Sequence, residues 1–288
     1  MVNKESKDTA FSSNKTLNLK GKILDLGTPK VMGILNVTPD SFYDGGAHLE
    51  EKDMIEQVGK MLQAGATFID IGGYSSRPGA DNISEEEESN RVLSALRLLL
   101  KQFPKAFFSI DTFRASVARK AVDEGAVMIN DISGGRLDAT MLPTVAEVKV
   151  PYVLMHSKGD PQTMRSLATY EDLITEITDF FVKQTARLRE FGVSDVILDP
   201  GFGFAKTVKQ NYELLKNLKY FQGLKLPVLI GLSRKSMIYK SLKIEPSEAL
   251  NGTTALNTIG LMNGASILRV HDVKEAVEAI ELYKLTYA

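Results

Sequence analysis

The hydrophobic residues of this chain fall in short runs that alternate with longer stretches of helical periodicity. Eight of these runs are nearly continuous apolar segments of strand length, typical of parallel strands covered on both faces. The alternation predicts repeated strand and helix units around a parallel sheet. The predicted strands are VMGILNV (from Val31), TFIDIGG (Thr67), AFFSIDT (Ala106), AVMINDI (Ala126), YVLMH (Tyr152), DVILDPG (Asp195), PVLIGLS (Pro227) and SILRVHD (Ser266).

Two α/β architectures accommodate this alternation: a closed (β/α)8 TIM barrel and an open doubly wound sheet. Eight units, and no GxGxxG turn after the first strand, favour the barrel. Residues 17–27 alternate apolar and polar about Lys20-Gly21, which predicts an N-terminal β-hairpin that closes the barrel bottom. Helix starts are indicated by capping boxes, which pair Ser84 with Glu87, Thr169 with Asp172, and Asp272 with Glu275.

Composition limits the classes of function. With 288 residues and 43% hydrophobic content, the chain can bury a core, and we expect one domain over residues 17–288 after a flexible tail at 1–16. A net charge of -1 gives no global field for nucleic acid or an anionic membrane. The absence of cysteine excludes disulfides and thiolate chemistry. Without a long apolar run or a signal segment, a cytoplasmic location is expected.

Nearly every predicted strand ends in a side chain that can bind or react, and in a barrel these ends meet at one rim. A single Asp or Asn there is at least as often a helix cap. Asp111, Asn130 and Asp199, however, lie inside predicted strands, where a buried carboxylate needs donors. They predict a flat heterocyclic ligand with several N–H groups. The polar strand ends are Asn36, Asp70, Asp111, Asn130, His156, Asp199, Ser233 with Lys235, and Arg269 with His271.

Seven ordered motifs resemble those of the dihydropteroate synthase family of pterin-binding barrels. The resemblance covers about residues 17 to 285. It implies a Mg²⁺-dependent transferase of folate synthesis that joins 4-aminobenzoate to hydroxymethyl-dihydropterin diphosphate. The motifs are NVTPDSFYDGG (from Asn36), SSRPGA (Ser75), SIDT (Ser109), INDISGG (Ile129), DPGFGF (Asp199), GLSRKS (Gly231) and RVHDV (Arg269).

The resemblance implies a pterin pocket in the barrel mouth. A carboxylate such as Asp199 suits the donors of the amino-pyrimidinone edge, and Lys235 suits the ring carbonyl. The resemblance also implies that Asn36 is the Mg²⁺ ligand, consistent with the oxygen donors that this ion prefers. The positions matching the family's pterin pocket are Asp111, Asn130, Met155, Asp199, Phe204, Gly231 and Lys235.

The remaining substrate groups have matching positions too. The diphosphate contacts are expected at Ser75, Ser76, Arg77, Arg269 and His271. Arg269 and His271 alternate along the last strand, so they should point the same way as an anion clamp. The aminobenzoate pocket is expected at Phe42, Pro78 and Ser236, with Phe204 and the stem of Lys235. The expected catalytic residues are Asp40, Asp111, Lys235 and Arg269. Tyr74 and Ser76 depart from the family, which often has Glu and Thr there.

Other functions share part of this pattern. A methyltetrahydrofolate-binding methyltransferase also presents Asp and Asn in a pterin barrel, but it does not need the anion residues. A Schiff-base aldolase would use Lys235 alone. A pterin-binding module without catalysis is the candidate from another class. Apolar residues on several faces of residues 246–264, together with the resemblance, predict a homodimer; packing on neighbouring helices is the alternative.

Overall fold

The computed structural model describes residues 15–37, 47–74 and 82–287. Strands and helices alternate through most of this region, and three short 3-10 helices interrupt the later connections. The elements are β1 (Thr16–Leu19), β2 (Lys22–Asp25), β3 (Lys30–Asn36), α1 (Ala47–Gln63), β4 (Phe68–Gly72), α2 (Glu85–Gln102), β5 (Phe107–Asp111), α3 (Ala115–Glu124), β6 (Met128–Asp131), α4 (Met141–Val148), β7 (Tyr152–Met155), α5 (Leu173–Glu190), β8 (Val196–Asp199), α6 (Val208–Lys216), β9 (Leu229–Ile230), α7 (Ser236–Leu242), α8 (Leu250–Met262), β10 (Ile267–Val270) and α9 (Val273–Tyr287).

Strands β3 to β10 form one eight-stranded parallel sheet in the order β8-β7-β6-β5-β4-β3-β10-β9. The two ends of this order meet at a parallel bridge between Leu198 and Val228, where the Leu198 amide donates to the Pro227 carbonyl at 2.8 Å. The predicted barrel is therefore confirmed, with each predicted strand in its place. Among the described strands β9 is the shortest, with two residues, because the preceding Val228 forms only an isolated bridge and does not extend the strand.

Side-chain alternation divides the apolar residues into two cores. Outward residues such as Leu35, Ile71 and Leu198 pack beneath the helices. Inward residues at the strand starts form a separate cluster inside the barrel. Two positions further along the strands, most of the inward residues are no longer large and aliphatic. These positions hold Ile34, Asp70, Ser109, Asn130, Met155, Asp199, Gly231 and Arg269.

The N-terminal hairpin closes the barrel bottom as predicted. β1 pairs antiparallel with β2 through a turn in which Lys20 and Gly21 both have positive φ, 51° and 91°. Leu17 and Leu19 are each 1% exposed and belong to the cluster of inward residues at the strand starts. The hairpin therefore seals one mouth of the barrel and leaves the opposite mouth for a ligand.

The helix starts agree with the sequence only in part. The Ser84 side chain accepts from the Glu87 amide and caps α2, which confirms half of the predicted capping box, whereas the Glu87 carboxylate pairs with Arg91. The cap predicted at Thr169 is wrong, because α5 begins later and Asp172 caps it by accepting from the Thr175 amide at 2.9 Å. The Thr169 carbonyl instead accepts a hydrogen bond from Lys158 at 2.6 Å. No helix in the described part of the chain is long and apolar enough to cross a membrane.

Candidate active site

The polar residues predicted for the pterin pocket meet in the open mouth of the barrel. Asp111 ends β5, Asn130 lies in β6 and Asp199 ends β8, so all three are held by strands rather than by loops. Met155 is buried at the end of β7, and Phe204 is half-buried in the loop after β8. Six predicted residues lie outside the described residues: Asp40, Phe42, Ser75, Ser76, Arg77 and Pro78.

Arg269 binds two carboxylates across the barrel. Its Nε donates to Asp70 Oδ2 at 2.6 Å, and its Nη2 donates to Asp111 Oδ2 at 2.7 Å. These bonds use two of the five guanidinium N–H groups, so an anion would have to bind to the others. His271 follows the end of β10 and is exposed, and its amide donates to Ser233 Oγ at 3.2 Å. The anion clamp of Arg269 and His271 stays a prediction.

Asp70 connects the two sides of this network, although the sequence assigned it no role. Its Oδ2 accepts from Asn130 Nδ2 at 2.8 Å as well as from Arg269. Because the Asn130 Nδ2 group donates to Asp70, the side-chain oxygen of Asn130 can act as an acceptor toward the barrel mouth. Within the described part of the chain, Asp70 Oδ1 and Ser109 Oγ are buried without a hydrogen-bond partner. The barrel interior therefore keeps unused acceptor capacity under the site.

Burial and like charges disfavour ionisation of the carboxyl groups. Burial raises the pKa of Asp111, and the nearby Asp70 carboxylate raises it further, while Arg269 opposes both effects. Burial also raises the pKa of Asp199, against the charge of Lys235. A perturbed pKa beside a specific partner in a cleft is typical of functional sites. Donors from a ligand would stabilise the ionised forms.

Lys235 is positioned by its neighbour in the sequence. Arg234 has a positive φ of 53°, and its amide donates to Thr253 Oγ1 at 3.0 Å. Its guanidinium donates to both carboxylate oxygens of Asp272, at 2.9 and 2.7 Å. These contacts hold a backbone conformation that is unfavourable for a residue with Cβ. The Asp272 carboxylate, which the sequence had suggested as a helix cap, belongs to this ion pair.

The amino group of Lys235 lies against the loop that follows β8. Its Nζ donates to the Phe202 carbonyl and lies 4.8 Å from the centre of the Phe204 ring. Burial lowers the pKa of Lys235 to about 8, and the Asp199 carboxylate opposes this shift. A Cβ built on Gly231 would lie 3.9 Å from Lys235 Nζ and 3.9 Å from Arg269 Cβ, so Gly231 borders both cations. Ser236 is half-buried at the start of α7.

The loop after β8 requires glycine at its first bend. Gly201 has φ +72°, and a Cβ there would lie 1.9 Å from the His156 carbonyl oxygen. We expect Gly201→Ala to lower the free energy of unfolding by about 3 kcal/mol, because it combines an unfavourable φ with overpacking against backbone. Urea denaturation measures this loss. Gly223→Ala is the control, since a Cβ there meets nothing within 4 Å; equal stability of the two variants would contradict the prediction.

Asn36 and Asp111 face the same small space above Gly72. A Cβ built on Gly72 would lie 3.8 Å from Asn36 Oδ1 and 3.8 Å from Asp111 Oδ2. The missing side chain leaves room beside an amide oxygen and a carboxylate, the ligand types that Mg²⁺ prefers. Among the described residues no group of three or more His, Cys, Asp or Glu could hold a metal. The site thus fits an ion that takes one or two protein oxygens and completes its shell with substrate or water.

Together these features define a parallel barrel whose open mouth carries acidic groups on one side and cations on the other. The family model described as pterin binding enzyme matches residues 32–271. The chain belongs to this family. It is 45% identical to the dihydropteroate synthase of Escherichia coli strain K12 over 269 residues, which cover 93% of this chain and 95% of that protein.

Solved structures agree with the sequence relatives. The dihydropteroate synthase of Yersinia pestis, solved as a sulfonamide drug complex, has a TM-score of 0.88 and 43% identity over 94% of this chain and 98% of that chain. The enzyme of Xanthomonas albilineans, solved with 4-aminobenzoic acid, has a TM-score of 0.89 and 38% identity over 96% and 99% of the two chains. The resemblance found in the motifs is confirmed.

Proposed function

We propose that this protein is a dihydropteroate synthase, a transferase that condenses 4-aminobenzoate with (7,8-dihydropterin-6-yl)methyl diphosphate to give 7,8-dihydropteroate and diphosphate. The observation that carries the proposal is the meeting of Asp111, Asn130, Asp199, Lys235 and Arg269 in one barrel mouth. The relatives that share this fold along nearly their whole length bear the same name, and one was solved with 4-aminobenzoic acid.

The reaction exchanges one bond at the pterin methylene carbon. The C–O bond to diphosphate breaks with its electron pair leaving on oxygen, the amine nitrogen of 4-aminobenzoate forms a C–N bond, and the nitrogen loses a proton. The electron-rich dihydropterin helps to expel diphosphate, so the substitution is dissociative. An aryl amine is neutral at pH 7 and needs no strong base, which leaves positioning and electrostatic stabilisation to the protein.

Each side of the mouth has a separate task. Asp199 and Asn130 accept from the N–H groups of the pterin, and Lys235 donates to its carbonyl oxygen. Asp111 faces the ring beside Arg269, whose remaining N–H groups meet the departing negative charge. Lys235, with its pKa of about 8, is largely an ammonium ion at pH 7 and supplies a full positive charge.

Mg²⁺ belongs to this proposal through Asn36. Asn36 would hold the ion through its amide oxygen beside the space above Gly72, since Mg²⁺ needs few protein oxygens when substrate and water supply the rest. When bound, Mg²⁺ would supply positive charge next to the diphosphate oxygens. Asn36 is the last residue of β3, so the strand would hold its amide oxygen in a fixed position for the ion. The cytoplasmic location stays a prediction from the sequence.

Release of diphosphate on mixing the two substrates with Mg²⁺ tests the function directly. We expect release that depends on both substrates and yields dihydropteroate in equal amount. A methyltransferase would give no diphosphate, and an aldolase using Lys235 would be trapped by borohydride. Pterin binding measured by calorimetry without any release would instead identify a binding module and reject the proposal.

We also propose a homodimer formed through the last helices. Exposed apolar side chains occur on α8 and α9, where Met262 is 57%, Leu282 is 67% and Leu285 is 84% exposed. Such clustering indicates an interaction surface. Sedimentation should give twice the chain mass of 31.7 kDa, and Met262→Asp should return the protein to a monomer. Val182→Asp on α5 is the control, since Val182 is 49% exposed away from these helices; a monomeric wild type contradicts the proposal.

A further inference from the structure

Lys206 is a buried cation that the proposed reaction does not use. It is only 9% exposed, although it lies in the loop between β8 and α6. Its Nζ lies 3.0 Å from the Gly201 carbonyl, 3.1 Å from the Phe204 carbonyl and 3.1 Å from His156 Nδ1. Burying an amino group is costly unless partners of this kind satisfy it. Lys206 therefore ties both ends of the turn at residues 201–204 to the end of β7.

The same turn forms one wall around Lys235. The Phe202 carbonyl accepts from Lys235 Nζ, and a Cβ built on Gly203 would lie 3.1 Å from Lys235 Cδ. We propose that Lys206 is a positioning residue that fixes the turn at residues 201–204 and thereby sets the place of Lys235 in the pterin pocket. This inference rests on the proposed function for the role of Lys235. The hydrogen bonds that connect Lys206 to the turn do not depend on that function.

The tie holds in either protonation state of Lys206. Burial lowers the pKa of Lys206 to about 7, against the charge of Asp199, and burial lowers the pKa of His156 to about 2, so its imidazole stays neutral. An ammonium ion donates to all three partners. A neutral amine still donates to both carbonyls and accepts from Nδ1–H of the other imidazole tautomer. Hydrogen bonds to the turn thus persist across neutral pH.

Lys206→Met removes the donors and keeps most of the side-chain volume. In the ligand-free protein we expect hydrogen exchange of the Gly201, Gly203 and Phe204 amides to be about tenfold faster. Calorimetry with pterin-6-carboxylate should give a dissociation constant about tenfold higher. Lys20→Met is the control, because Lys20 Nζ also donates to a backbone carbonyl, that of Val122, at the other end of the barrel. It should lose stability without a change in pterin affinity or in these amides.

His156→Phe is the second variant, and it tests the proposal if Lys206→Met does not fold. It keeps the aromatic contact with Phe180, whose ring centre lies 5.1 Å from that of His156, and removes one partner of Lys206. Faster exchange in the turn together with weaker pterin binding supports the proposal. Unchanged exchange and affinity in a folded variant overturn it. If wild type binds no pterin, the proposed function fails, while faster exchange in either variant would still support the tie.

Discussion

Lys235→Ala should lower kcat/KM for the pterin diphosphate by about 10²-fold to 10³-fold, the usual cost of removing one preorganised donor from a site. Lys235 is half-buried, and its amino group interacts with Asp199 and donates to the Phe202 carbonyl, so the fold holds this donor in place before the substrate binds. The backbone around it is fixed by Arg234 and should keep its conformation. Initial rates of diphosphate release, with circular dichroism as a check on folding, measure the effect.

Lys209→Ala is the control for this variant, since Lys209 is an exposed lysine in the first turn of α6. It should keep wild-type kinetics.

Asp199→Ala should lower kcat/KM as much as Lys235→Ala does, because each residue loses its charged neighbour when the other is replaced. Near-normal turnover in either site variant, with the fold intact, would reject the assignment of the pterin pocket.

The barrel was predictable because both faces of its strands are covered. Continuous apolar runs mark such strands, and the hairpin turn at Lys20-Gly21 was visible as a break in alternation. Helix starts were less predictable. Thr169 and Asp172 satisfy the capping pattern, but Lys158 holds the Thr169 carbonyl in the preceding loop, and the helix begins after Asp172. Local spacing contains no information about that contact.

The site residues were predictable wherever a polar side chain lies inside an otherwise apolar strand. Asp111, Asn130 and Asp199 were singled out because they lie inside predicted strands, and Asp70 carries the same signal within the predicted strand TFIDIGG. Its role was missed because its two partners lie 60 and 199 residues away in the chain. Lys206 gives no signal at all. Its burial depends on how the loop folds around Gly201, which sequence spacing does not specify.

Asp70→Asn should lower kcat/KM by about 10²-fold, in line with truncating one member of a buried, hydrogen-bonded charge pair. The substitution keeps the shape of the side chain but removes the charge that Arg269 Nε meets, and the bond to Asn130 is weakened at the same oxygen. Two pocket residues would then lose their orientation together. Asp70 acts through these neighbours, so a pH profile is needed to separate its role from plain stability.

The pH profile should move in a defined direction. We expect Asp111 to work ionised, because its carboxylate pairs with Arg269. Burial and the Asp70 charge raise the pKa of Asp111, so kcat/KM should fall as pH drops through that pKa. Removing the Asp70 charge lowers the pKa of Asp111 and should shift this acid limb to lower pH.

Glu88→Gln is the control. Glu88 is a buried carboxylate paired with Arg114, and it raises the pKa of Asp111 less than Asp70 does. It should destabilise the fold, keep most activity and move the limb less. An unchanged limb and wild-type activity in Asp70→Asn would show that Arg269 and Asn130 hold their places without it.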